Sequence, residues 1–209
     1  MTGLPEIGLA LATSFASGLN LYATVAVLSG AQRLGWVALP AGLEPLGHPV
    51  IFWVSVVLFW TEFFADKIPL VDTAWDALHT LVRPVAAAAL GFGIFNGAAQ
   101  PWPAIAALLA GSVALTAHGA KAGTRAVANA SPEPFSNWVL SIVEDAIAIG
   151  LTAFAMQHPA IAAVIVLILL VIAVWVIRKT VRLLGGLGRR LFGDTRVAPM
   201  PPPPPSLPS

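Results

Sequence analysis

The sequence predicts an all-α integral membrane protein with about six transmembrane helices. Of its 209 residues, 57% are hydrophobic and only 10% are charged, and the mean hydropathy is +0.83. Soluble domains carry roughly 25% charged residues, so too little charge is present to cover a water-facing surface. A bilayer suits this composition. Its apolar content excludes disorder of the whole chain, and the absence of cysteine excludes a disulfide scaffold.

Residues 7–32 carry no charge and are long enough for the ~30 Å hydrocarbon core. A cleavable signal needs a basic n-region, and the only early charge is Glu6, so this run is expected as a retained first helix. Residues 33–49 hold Pro40, Pro45 and Pro49 with Gly35, Gly42 and Gly47, the composition of a loop. The second helix is expected from Val50 through Glu62, Ala65 and Asp66, ending at Pro69. Residues 72–95 are amphipathic at first and apolar from Val85. One helix kinked at Pro84, or a re-entrant or interfacial segment before a short helix, both fit. A broken or amphipathic segment is therefore expected around residues 66–84.

The fourth helix begins near Ala104 and runs through His118, Lys121 and Arg125. The fifth covers 135–156, and the sixth covers 159–177, which carries no charge. Residues 1–180 thus form the transmembrane domain. Residues 181–209 form a basic, then proline-rich tail, expected to be disordered and cytoplasmic.

From Arg178 onward six basic residues face one acid, Asp194; before it, nine acids face five basic residues. This pattern argues against nucleic acid and reads as a topology signal. Six crossings place both termini on one side. Arg178, Lys179 and Arg182 make that side cytoplasmic, with Lys67, Arg83, Lys121 and Arg125 counted there and Arg33 opposite. A faint repeat (Leu11-Ala12-x-Ser14-x-Ala16 against Leu109-Ala110-x-Ser112-x-Ala114, with Glu62 echoed by Glu144) leaves open two inverted three-helix halves.

The chemistry lies in polar residues at helical spacing. Thr13, Ser17, Asn20 and Thr24 share one face, as do Asp72, Asp76, His79 and Arg83. His118, Lys121, Arg125 and Asn129 form a third stripe, and Asn137, Ser141 and Glu144 a fourth, with Asp145 adjacent. A charge at the bilayer centre costs at least ~2.5–3.5 kcal/mol, so these groups are expected to face one another. The Asp72/Asp76 stripe and the Lys121/Arg125 stripe are natural partners. Glu62, Glu144 and Asp145 must borrow a cation from the basic stripe, bind one, or stay protonated. The candidate substrate or ion site is Asn20, Glu62, Asp66, Asp72, Asp76, Lys121, Arg125, Asn137, Glu144 and Asp145. Set against this, hydroxyl stripes commonly serve helix packing, and an ion-pair network can be structural.

Asp72-x-x-x-Asp76 is the spacing of a divalent-metal pair in lipid phosphotransferases of the CDP-alcohol class, but their preceding Asp-Gly is missing here. No nucleophile elbow, phosphate loop or zinc spacing occurs. No catalytic residue and no cofactor is expected.

The runs SFASGLNLYAT from Ser14, EFFADKIP from Glu62, DTAWDALHTLVRP from Asp72, HGAKAGTR from His118 and NASPEPFSNWVLSIVED from Asn129 resemble one bacterial multi-pass membrane family, domain of unknown function 4126. The resemblance covers residues 7–155 and implies a bacterial inner-membrane location, with no activity attached. Glu62-x-x-x-Asp66-Lys67 is also similar to the Glu-x-Gly-Asp-Lys signature of six-helix cation exchangers. Here the spacing is one residue longer and Ala65 replaces the glycine.

The expected function is a small secondary transporter, cation- or proton-coupled, taking a small solute or ion. A non-catalytic membrane scaffold and a membrane enzyme acting on lipid are the alternatives.

Overall fold

The computed structural model describes residues 3–129 and 134–192. Within them lie seven α-helices: α1 (Leu4–Leu19), α2 (Leu21–Arg33), α3 (Pro49–Ala65), α4 (Pro69–Ile94), α5 (Trp102–Asn129), α6 (Pro134–Gln157) and α7 (Pro159–Phe192). A 3-10 turn, Ala41–Gly47, precedes α3. Prolines open α3, α4, α6 and α7, where a missing N–H costs nothing. Pro69 therefore starts a helix where the sequence reading had it end one. The turn at Asp66 separates α3 from α4, and α4 then runs unbroken through Pro84, so residues 69–84 belong to one long helix.

The largest departure is at the start. Residues 7–32 do not make one helix, because Asn20 is extended (φ −147°, ψ 102°) and separates α1 from α2. Its side-chain Oδ1 accepts the Ala23 N–H at 2.9 Å and caps α2, the usual work of Asn at a helix start. The two helices then fold back. Pro5, Glu6 and Leu9 line a pocket together with Val37, Ala38, Leu39, Pro40 and Pro159. Gly8 lies so close to Pro159 that a Cβ would overlap its carbonyl. At the far end of α2, Ser29 donates to the Leu46 carbonyl and Gln32 to that of Glu44. The start of α1 and the end of α2 thus share one end of the bundle, and Asn20 is the tip of a hairpin reaching into it.

Polar contacts fix the remaining directions. Thr80 meets His118 and Asp72 meets Arg125, so α4 and α5 are antiparallel. Gly119 faces Ile177 and Gly123 faces Thr180, so α5 and α7 are parallel. Ile7 shares a pocket of about 190 Å³ with Trp102 and Ile105, while Gly18 packs on Ala114 and Ala117. Hence α1 runs parallel to α5. Inverted halves need that matched pair antiparallel, so the Leu11/Leu109 repeat does not describe inverted halves. Small residues bring the backbones together, Gly18 against Ala114 and Ala117, as in membrane helix packing.

Four helices, α4 to α7, are long and apolar enough to cross a membrane; α3 with its preceding turn, bent by 71°, would be a fifth. The sixth expected crossing was the stretch now seen as a hairpin. The start of α1 lies beside the start of α7, and α7 extends 34 residues away from it. The first and last described residues thus lie at opposite ends of the bundle, whereas six crossings had been expected to place both ends on one side. α7 also continues past residue 180, where the tail was expected to begin. The proline-rich run 201–205 lies outside the described residues.

Candidate functional site

The polar stripes converge on the hairpin tip. On α4, Asp72, Asp76, His79 and Arg83 recur at helical spacing and are all buried; on antiparallel α5, so are His118, Lys121 and Arg125. Arg125 is the hub. It donates to Asp66 at 2.8 Å, Asp72 at 2.9 Å and Glu144 at 2.6 Å, and also to the Asp66 backbone carbonyl. Lys121 lies 3.0 Å from Asp66, 3.2 Å from Glu62 and 3.8 Å from Glu144. Glu62 and Asp66, which have no basic neighbour on their own buried faces, therefore take their cations from α5 and α4.

Arg83 pairs with Glu62, and both side chains are fully buried. Arg83 also donates to His118 Nδ1 at 2.7 Å. Because arginine stays protonated, that nitrogen must accept, so His118 is neutral. Its Nε2–H then faces the Thr80 hydroxyl and the Asp76 carbonyl. His79 Nδ1 faces the Trp75 carbonyl at 2.8 Å and so carries the proton; Nε2 meets the Tyr22 hydroxyl at 3.0 Å.

The broken helix is stitched into this network. Gly18 and Leu19, at the end of α1, hold carbonyls that no helical N–H can reach. Arg83 donates to the first at 3.0 Å and Lys121 to the second at 3.1 Å. Two cations at a helix C-terminus also complement its dipole. On the other side of the break, Asn20 Nδ2 donates to Asp145 Oδ1 at 2.8 Å. Irregular backbone at membrane depth persists only where protein or a cavity satisfies it, and these three side chains do so.

All ten residues singled out in the sequence belong to this region. Asn137 joins at its edge through Asn129, which donates to Asp72 at 3.1 Å. Two corrections follow. Asp76 pairs with Arg83 on its own helix, 3.6 Å away, and among the described residues neither Lys121 nor Arg125 comes within 4 Å of its carboxylate. The stripe of Thr13, Ser17, Asn20 and Thr24 is divided by the helix break, so Thr24 lies on α2. Arg83 and His118 were absent from the candidate site. Arg83 had been counted among the cytoplasmic charges, although it stands seven residues from Asp76 on the same stripe. Buried Arg83, Lys121 and Arg125 cannot count as loop charges for topology either.

Six carboxylates (Glu62, Asp66, Asp72, Asp76, Glu144 and Asp145) are thus buried with three cations, Arg83, Lys121 and Arg125. Lys67, half-buried, donates to the Phe63 carbonyl and sits over its ring; counting it still leaves two carboxylates in excess. Glu62 Oε2, Asp66 Oδ1, Asp76 Oδ1 and Asp145 Oδ2 are buried without a hydrogen-bond partner. Among the described residues, no three His, Asp or Glu side chains converge as a metal-holding group.

Fold and site together define a helical, membrane-type protein with an acid-rich buried ion network at the tip of a broken-helix hairpin. The chain belongs to the family described as Domain of unknown function (DUF4126), which matches residues 7–179. The match extends beyond the sequence resemblance, into α7. No curated protein and no solved structure matches it.

Proposed function

We propose that the protein is a small secondary transporter whose coupling ion is a proton. The observation that supports this reading is the excess of buried carboxylates over cations around the hairpin tip. A buried, uncompensated carboxylate pays a heavy desolvation penalty, so the network is more stable with protons added. Intramembrane ionisable groups and broken helices both mark ion pathways in carriers. A bound metal ion fits less well, because the acids face arginine and lysine instead of converging on one another.

The uncharged run 159–177 of α7 is about 28 Å long at 1.5 Å per residue, close to one hydrocarbon thickness. With Arg178, Lys179 and Arg182 in the cytoplasm of a bacterial inner membrane, Gly119 beside Ile177 marks the inner boundary. Lys121 and Arg125 then lie at the cytoplasmic margin, and the hairpin reaches towards them from the opposite side. Five crossings and a re-entrant hairpin replace six crossings in this reading.

The scaffold alternative has one observation in its favour: each buried cation already holds at least two carboxylates. The lipid-enzyme alternative weakens, since Asp72 and Asp76 are directed at different arginines. Transport separates the first two. Purified protein in vesicles holding a pH-sensitive dye is expected to shift the lumenal pH when one member of a panel is added outside: small organic acids, amines, sugars and monovalent or divalent cations. Identical traces from protein-containing and empty vesicles across the panel would favour the scaffold.

A further inference from the structure

We infer that Asp145 is the carboxyl that takes up and releases the coupling proton, and that Asn20 at the hairpin tip responds to its protonation state. This rests on the reading of the bundle as proton-coupled, and it singles out one residue among six acids. Five of the six lie within 4 Å of a buried cation: Glu62 and Asp76 of Arg83, Asp66, Asp72 and Glu144 of Arg125. Asp145 has no such partner among the described residues. It is nonetheless buried, with 5% of its surface exposed. Its Oδ1 accepts from Asn20, and its Oδ2 is buried with no hydrogen-bond partner. Oδ2 is therefore the atom on which a proton can sit without displacing an existing bond.

The neighbouring acid does not share this position. Glu144 is adjacent in sequence, yet Arg125 and Lys121 hold it. The charged groups that face Asp145 across space do so from the α3–α4 turn (Asp66 and Lys67), from α3 (Glu62) and from α5 (Lys121). Two of these are acids; of the two cations, Lys121 is shared among Glu62, Asp66 and Glu144, and Lys67 is occupied with Phe63. α1 and α2 present only Asn20, and α7 presents no charge before Arg178.

The step balances simply. A proton bonds to Oδ2 of the Asp145 carboxylate, giving a neutral acid, and leaves by the same atom; nothing else is made or broken. The hydrogen bond from Asn20 to Oδ1 persists in both states. In the ionised state the carboxylate has Asn20 as its one hydrogen-bond donor, and the same asparagine caps the start of α2. Proton release thus draws on the hairpin tip, and uptake relaxes it.

The full chain in lipid vesicles and nanodiscs tests this with two readouts. Infrared difference spectra between acid and alkaline buffer are expected to show the carbonyl stretch of a buried carboxylic acid in the parent. Asp145→Asn should lose this band, whereas Glu144→Gln should keep it. Asparagine reproduces the shape of the protonated acid and still accepts from Asn20, so the variant is expected to fold. Asn20→Ala, a second variant, should keep the band but shift its titration midpoint. In the flux assay Asp145→Asn should fall to the level of empty vesicles. An unchanged band in Asp145→Asn would overturn the inference. So would normal, pH-dependent flux in that variant, while leaving the transporter reading in place. Loss of the band in a protein that moves no solute would uphold the proton site and sink the transporter reading instead.

Discussion

Arg125→Ala is expected to lower the stability of the bundle by about 3–5 kcal/mol, the cost of removing one partner from a buried ion pair. The guanidinium is the shared donor of Asp66, Asp72 and Glu144, and its loss leaves three carboxylates short of a cation. Unfolding midpoints in detergent would show it. Adding Glu144→Gln should recover part of the loss, because residues that touch are coupled. Adding Asp76→Asn should recover less, since the cation nearest Asp76 is Arg83. Rescue by Asp76→Asn with none by Glu144→Gln would contradict this arrangement.

Arg83→Met should have an effect of similar size, again about 3–5 kcal/mol. The side chain is fully buried, and methionine retains its apolar length while removing every donor. Four connections fail together: the pairs with Glu62 and Asp76, the bond to the Gly18 carbonyl and the bond to His118. Glu62 is the only charged residue on α3, so losing Arg83 loosens that helix from α4 and leaves Lys121 of α5 as its one remaining cation. The double variant with Glu62→Gln should be more stable than Arg83→Met alone. Strictly additive losses would show that the two do not meet.

Most of the site was legible in the sequence because it is written at helical spacing. Asp72, Asp76 and Arg83 on one helix, with Lys121 and Arg125 on another, are charges that no apolar environment tolerates alone, so their convergence follows from physics. Which acid meets which base did not follow. Asp76 and Arg83 lie seven residues apart on one face, and nothing in composition ranks that pairing above a pairing across helices. The hairpin was hidden for a different reason. A break usually carries proline or a cluster of glycines, whereas here one asparagine, preceded by Gly18, interrupts a run with no charge. Read as a stripe with Thr13 and Thr24, Asn20 looks like one polar face of a continuous helix. Its role depends on Arg83, Lys121 and Asp145, all distant in sequence. The expected sixth crossing and the expected side of the first helix both rested on reading 7–32 as one continuous helix, which Asn20 breaks.

The hairpin is also what brings the tip of α1 and α2 to the acids, so its course through the membrane is the point on which the whole account turns. The chain has no cysteine, which allows single cysteines to be introduced at Leu4, Val37 and Leu184 and probed in intact cells with a membrane-impermeant thiol reagent. Leu4→Cys and Val37→Cys should react from the same outer face, and Leu184→Cys only after the cells are opened. If Leu4→Cys and Leu184→Cys share a side while Val37→Cys lies opposite, the stretch 7–32 crosses the membrane and the hairpin does not exist there.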